Sequence, residues 1–146
     1  MDWKLSVAVL AIFVSIVSFT LSYQLSKQSS IASMKPVLVF EYSPDKGWVL
    51  RNVGNGPALN VILAMKEDNS DWFNPVRIPP LSKDGEFILS WIRHSNIRTL
   101  GATYEDFMQK PYSTTCTDDL SRITEENVLM NWPENEIKRH WQVTTE

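Results

Sequence analysis

Trp48-Val49-Leu50-Arg51-Asn52-Val53-Gly54-Asn55-Gly56-Pro57-Ala58-Leu59-Asn60-Val61 is the stretch whose reading decides the fold of most of this chain. Two runs of strand formers flank Gly54-Asn55-Gly56-Pro57. Glycine there permits backbone angles that a side chain would forbid, and asparagine bonds to its own local backbone, so the segment predicts strand, turn, strand. Asn52, Gly54, Gly56, Pro57 and Ala58 are its structural turn residues, Ala58 being small enough to lie under a neighbouring strand. In the second run Leu59, Val61, Leu63 and Met65 alternate with the smaller, more polar Ala58, Asn60, Ile62 and Ala64, the period-two signature of a half-buried strand.

Outward from this hairpin the same grammar repeats. Val37 to Tyr42 is a strand that stops at Ser43-Pro44-Asp45-Lys46-Gly47, where proline pre-sets φ and glycine supplies a positive one. Val76–Ile78, bounded by Pro75 and Pro79-Pro80, can only be an edge or a bridge, because proline has no N–H to give to a ladder. Phe87–Ile92, Thr99–Glu105 and Tyr112–Thr117 complete about seven strands with turn signals roughly every ten residues, the pattern of an antiparallel β-sandwich. The predicted fold is mainly β: an immunoglobulin- or fibronectin-III-like sandwich over residues 36–117, with a small open barrel as the alternative. From Asp118 the pattern changes. Asp118-Asp119 reads as the cap of a helix starting at Leu120, with Ile123, Asn127 and Met130 on one face and Trp132-Pro133 as its stop. Glu134 to Trp141 reads as a second short turn, making residues 118–146 a partly helical tail packed on the domain.

The N-terminal segment is of another kind. No charge occurs from Leu5 to Ser26, and at 1.5 Å per helical residue that run reaches about 33 Å, enough for the roughly 30 Å hydrocarbon core of a bilayer. It is longer than the apolar region of a secretory signal and its start is only weakly basic, so residues 1–26 are expected to form an uncleaved transmembrane anchor, followed by a polar linker over 27–35. Trp3 and Tyr23 suit the headgroup zones. Ala11, Ser15, Ser18, Ser22 and Ser26 form a stripe of small residues that would let helices approach closely in lipid, which predicts self-association as a homo-oligomer. Lys27 and Lys35 follow the run and Lys4 precedes it, so the positive-inside rule favours a cytoplasmic soluble domain, the periplasmic side being the alternative.

Charge and chemistry narrow the function classes. The first 35 residues hold a net of +2 out of the chain's −3, leaving −5 for the rest, which argues against nucleic acid as a partner. One cysteine, Cys116, permits no internal disulfide and no thiolate zinc site. Nothing in the spacing brings it to His94 or His140. Asp118, Asp119, Glu125 and Glu126 lack the glycine and the spacing of a calcium loop. No phosphate-cradling Gly-Lys-Ser/Thr, His-Glu-x-x-His or Gly-x-Ser-x-Gly occurs. The sequence thus assigns no catalytic and no metal-binding residue and implies no cofactor. Trp72-Phe73, two aromatics in the polar stretch Lys66 to Asn74, and the exposed amide of Asn55 are the candidate binding surface.

The Asn52–Asn60 turn resembles the second-to-third strand hairpin of bacterial immunoglobulin-like modules, adhesion-related domains among them. The whole pattern looks closest to small bacterial single-pass membrane proteins: one N-terminal helix, a Pro-led first strand, Asn-x-Gly-x-Gly-Pro-Ala-x-Asn, then a Tyr-x-Asp turn before a Thr-rich strand. Here those later features are Tyr104-Glu105-Asp106 and Tyr112-Ser113-Thr114-Thr115. The resemblance covers most of 36–117 and implies a fold and the bacterial inner membrane, but no chemistry. Three functions follow as expectations. The chain is a non-enzymatic binding protein with a protein partner or a second copy; or a sensor whose β-domain takes a small-molecule ligand and controls association of the membrane helices; or a periplasmic envelope-binding module. A basic, concave pocket would favour a nucleotide-like signal.

Overall fold

The computed structural model describes residues 3–68, 70–93 and 99–143. The chain divides into two compact units, Met1–Ser33 and Met34–Glu146. The first is a single helix, α1 (Trp3–Ser33). From Ser6 to Ser30 it is long and apolar enough to cross a membrane, and that span buries nothing against the protein. The helix does not end at Ser26; the expected polar linker is helical as far as Ser33. Lys, Gln and Ser propagate a helix once it is nucleated, and no glycine or proline intervenes. The stop comes with Pro36, because a residue that precedes proline avoids the α region.

The second unit is largely β, in two sheets. Its strands are β1 (Leu38–Ser43), β2 (Gly47–Asn52), β3 (Leu59–Lys66), β4 (Phe73–Arg77), β5 (Glu86–Ile88), β6 (Thr99–Glu105), β7 (Pro111–Thr117), β8 (Leu120–Thr124) and β9 (Lys138–Arg139), with one helical turn, α2 (His140–Val143), after them. The small sheet has the order β1-β2-β5 and the large one β8-β7-β6-β3-β4-β9. All neighbours are antiparallel except β4 and β9, which run parallel.

The helix expected from Leu120 is a strand. Asp118 and Asp119 both adopt left-handed backbone angles, φ 46° and 65°. Positive φ at both central residues makes a two-residue turn of the kind that matches strand twist, so Thr117 and Leu120 face each other and β8 returns along β7. The two aspartates close a hairpin instead of capping a helix.

Leu38, Phe40, Trp48 and Leu50 of the small sheet and Val61, Leu63, Leu100 and Ala102 of the large one belong to a single buried cluster. One side between the sheets is closed by a polar zipper. The Leu38 N–H donates to Tyr104 Oη (3.3 Å), Thr114 Oγ1 donates to the Leu38 carbonyl (2.8 Å), and the two hydroxyls lie 3.1 Å apart. The free edge of β1 thereby finds partners that burial would otherwise deny it.

The C-terminal segment closes the other side. After β8 it crosses the outer face of the large sheet: Ser113 Oγ donates to the Glu126 carbonyl (2.6 Å) and accepts from the Val128 N–H (3.1 Å). Leu129 is buried over Gly101, whose lack of a side chain also admits Trp72: a Cβ there would lie 2.6 Å from Trp72 Cζ3 and 3.2 Å from Leu129 Cδ1. β9 then adds to β4, Val143 packs against the core, and the His140 ring meets Phe87 of β5 edge-on at 5.4 Å.

Candidate functional site

The Asn52–Ala58 turn grips the residues that follow α1. Asn52 is fully buried, and its side chain uses all four of its hydrogen-bonding positions. Nδ2 donates to the carbonyls of Gly56 (2.8 Å) and Leu81 (3.0 Å), while Oδ1 accepts from the N–H groups of Gly54 (3.0 Å) and Val37 (3.2 Å). The Lys35 carbonyl accepts from the Asn55 and Gly56 N–H groups at 3.1 and 3.3 Å, and Pro36 is fully buried. A Cβ on Gly54 or Gly56 would collide with the backbone of Met34–Val37. Close approach, not backbone angle, is therefore what these two glycines supply; the glycine with a positive φ (75°) is Gly47, at the predicted first turn.

The Lys35 side chain is held as well. Its ammonium and that of Lys110 both bond Glu125, and they lie 5.1 and 5.5 Å from the centre of the Tyr112 ring. Hydrogen bonds from the two ammoniums pull the Glu125 carboxyl down to about 2. A carboxyl depressed on folding stabilises the protein above its ordinary range, near 4.3, and loses that contribution as pH falls towards 2. Acid titration of the melting temperature should therefore separate wild type from Glu125→Gln above about pH 5 and bring the two together by about pH 2. A gap independent of pH would show that the triad does not couple to folding.

A solvent-open groove of about 290 Å³ lies where β3, β4 and the C-terminal segment meet. A bulge in the β3–β6 ladder puts Asn60 in a left-handed conformation, φ 51°, and its Nδ2 donates to Glu105 Oε2 at 2.8 Å. Arg77 ends β4, and the parallel pairing sets Arg139 of β9 directly beside it. Both guanidiniums converge on Glu134, at 2.8 Å from Arg77 and 3.4 Å from Arg139. Arg77 Nε is buried with no hydrogen-bond partner among the described residues. His140 and Trp141 complete the wall, the indole being 59% exposed.

The residues expected to bind from the sequence lie elsewhere. Trp72 is half-buried, with its ring over Gly101 and the Lys66 ammonium 5.8 Å from its centre; Phe73 is exposed at the start of β4. Asn55 is exposed at the opposite end of β3, so the eight residues of that strand separate it from the two aromatics. Trp72→Ala should lower stability by about 2 kcal/mol, near half the cost of emptying a full core site, when read by thermal unfolding. A loss under a few tenths would mark the ring as free for another surface. In the stripe on α1, Ser15 Oγ donates back to the Ala11 carbonyl at 2.8 Å, which satisfies it within its own helix. Cys116 is buried, and burial pushes its thiol up, away from the thiolate a nucleophile requires. His94 lies outside the described residues.

Residues 3–124 match a family described as a domain of unknown function, DUF8453. The chain belongs to that family. The DUF8453 match runs from the start of α1 to the end of β8. It includes the Asn52 turn, Asn60 and Arg77, while Glu134, Arg139, His140 and Trp141 lie beyond it. No curated protein and no solved structure matches the chain. None of the groove residues was a candidate from the sequence, although Asn60 closes the turn motif. The groove joins positions far apart in the chain, and three of its eight lining residues, Arg139, His140 and Trp141, come from the segment that reads as a partly helical tail.

Proposed function

We propose that this DUF8453 protein is a non-enzymatic binding module of immunoglobulin/fibronectin-III type, anchored through α1 in the bacterial inner membrane with the β-domain on the cytoplasmic side. The strand orders support the sandwich reading: β1-β2-β5 faces β7-β6-β3-β4 across one core, a three-over-four arrangement, with β8 and β9 as additions at the two edges of the larger sheet. The apolar, unburied helix, with Lys27 near its C-terminal end and Lys35 just beyond it, supports the anchor and its direction. The single observation that carries a binding role is the groove, which offers two guanidiniums and an exposed indole to solvent on a framework of strands. By the criterion stated for the sequence, a basic concave site favours the small-ligand sensor over a purely protein-binding role.

Carbonate extraction of membranes followed by intact mass measurement tests the anchor. The chain should stay in the pellet at its full mass. Release into the supernatant, or a mass short of the N-terminal residues, would replace the anchor with a cleaved signal.

A further inference from the structure

We propose that the groove is a site for a phosphorylated, ring-bearing small molecule of the mononucleotide class, and that Glu134, which bonds both of its guanidiniums, holds them until such a ligand displaces the carboxylate. The proposal deepens the binding-module reading and depends on it for biological meaning, not for its physics.

Three features carry it. The parallel pairing of β4 with β9 places Arg77 and Arg139 side by side on one carboxylate, in the manner of guanidiniums that share an anion. Glu134 is 61% exposed, and such an ion pair is weak, so it exchanges readily for a better anion. A phosphate monoester is better on two counts. Its charge approaches −2 at neutral pH, which matches two guanidiniums, and its three acceptor oxygens can engage donors that one carboxylate leaves unused. Arg77 Nε is buried and has no hydrogen-bond partner among the described residues, so a phosphate that drew the guanidinium into the groove would satisfy it through Nε and Nη.

The aromatic element selects the ligand class. The exposed Trp141 indole flanks the arginines and offers a face for a planar base, while the Asn60 amide, with one N–H given to Glu105, keeps its oxygen and second N–H for a polar ring edge or a sugar hydroxyl. A bare anion or an acidic peptide would need no such face. At about 290 Å³ the groove lies at the lower limit of small-ligand sites, which suits one nucleotide and not a dinucleotide.

The test uses the full-length chain in phosphatidylcholine nanodiscs, titrated calorimetrically with AMP, GMP, ribose 5-phosphate, inorganic phosphate and a short glutamate-rich peptide. One of the nucleotides should bind about tenfold more tightly than ribose 5-phosphate. Trp141→Ala should abolish that preference, and Arg139→Ala should weaken every phosphate probe about tenfold or more. Glu134→Gln should tighten all phosphate probes severalfold, a gain that no folding defect can imitate. Absence of binding at millimolar concentration in both wild type and Glu134→Gln overturns the proposal, as does tighter binding of the peptide than of either nucleotide. Nanodiscs with phosphatidylglycerol separate two sources of phosphate: unchanged affinity assigns the site to a soluble ligand, whereas competition by the lipid overturns that assignment. A chain that inserts and melts normally but binds no probe fails this inference alone, while a chain that does not insert fails the anchor reading and leaves the titration valid.

Discussion

Asn52→Ala is expected to lower the stability of the β-domain by about 4 kcal/mol, or roughly 20 °C in melting temperature for a domain of this size. The substitution removes one small polar side chain but orphans three backbone groups and weakens the pairing of a fourth. The N–H groups of Val37 and Gly54 lose their acceptor and the Gly56 carbonyl loses its donor, while the Leu81 carbonyl keeps only the Ala58 N–H. A buried group left unpaired costs about 1–3 kcal/mol, so the sum stays large even if water reaches some of them. Asn52→Asp sharpens the argument. It keeps the shape and both accepted bonds but turns the two donated bonds into carboxylate–carbonyl repulsion, so it should be nearly as harmful. Thermal unfolding of the full chain in micelles is the readout. A shift of only one or two degrees for both variants would mean that Asn52 does not hold these segments together.

Gly56→Ala should be the next most harmful change, at about 3 kcal/mol or more. Gly56 does not need its freedom of φ. Its added methyl would enter the space of the Met34 carbonyl, so Met34–Val37 would have to lift away. That movement breaks the bonds from the Asn55 and Gly56 N–H groups to Lys35 and exposes Pro36. Gly47→Ala provides the control. Nothing lies within 4 Å of a Cβ at Gly47, but its φ of 75° is unfavourable for alanine, by about 1–2 kcal/mol. Amide exchange separates the two mechanisms: Asn55 and Gly56 should lose protection in Gly56→Ala and keep it in Gly47→Ala. Equal losses of stability with unchanged protection at Asn55 would refute the close-approach argument.

These two residues also show what was legible in the sequence. The Asn-x-Gly-x-Gly-Pro-Ala turn stands out because turn chemistry is local, and all seven strands expected between residues 36 and 117 have counterparts. The reason for its glycines does not stand out. Sequence spacing shows that a glycine is present, but not that another stretch of backbone lies against it. Residues 27–33 read as linker because they are polar, yet polarity does not stop a helix that has no glycine or proline to break it. Asp118-Asp119 illustrates a genuine ambiguity. Aspartate caps helices and also tolerates left-handed turns, and only the pairing of β8 with β7 decides between them. The groove was out of reach because it depends on β9, a strand of two residues that exists only by pairing with β4. No periodicity can appear in two residues, so Arg139 carries no local sign that it will stand beside Arg77.

Clamp and groove lie in one unit. Asn60 is the last residue of the turn motif and the first of the groove, and Ala58 exchanges backbone hydrogen bonds with Leu81 just after Pro79-Pro80, which line the groove. The motif that secures Met34–Val37 therefore also sets one wall of the binding site. Damage to Asn52 should disturb both, whereas Trp141→Ala should leave the clamp intact.

The side of the membrane on which the β-domain lies is read with reporters fused after Glu146 that are active on only one face of the inner membrane. A cytoplasmic β-domain gives a signal from the cytoplasmic reporter alone, in keeping with Lys27 and Lys35 after the apolar run and with a phosphorylated ligand. A signal from the external reporter alone would contradict it, removing the cytoplasmic sensor and turning the search towards partners in the envelope.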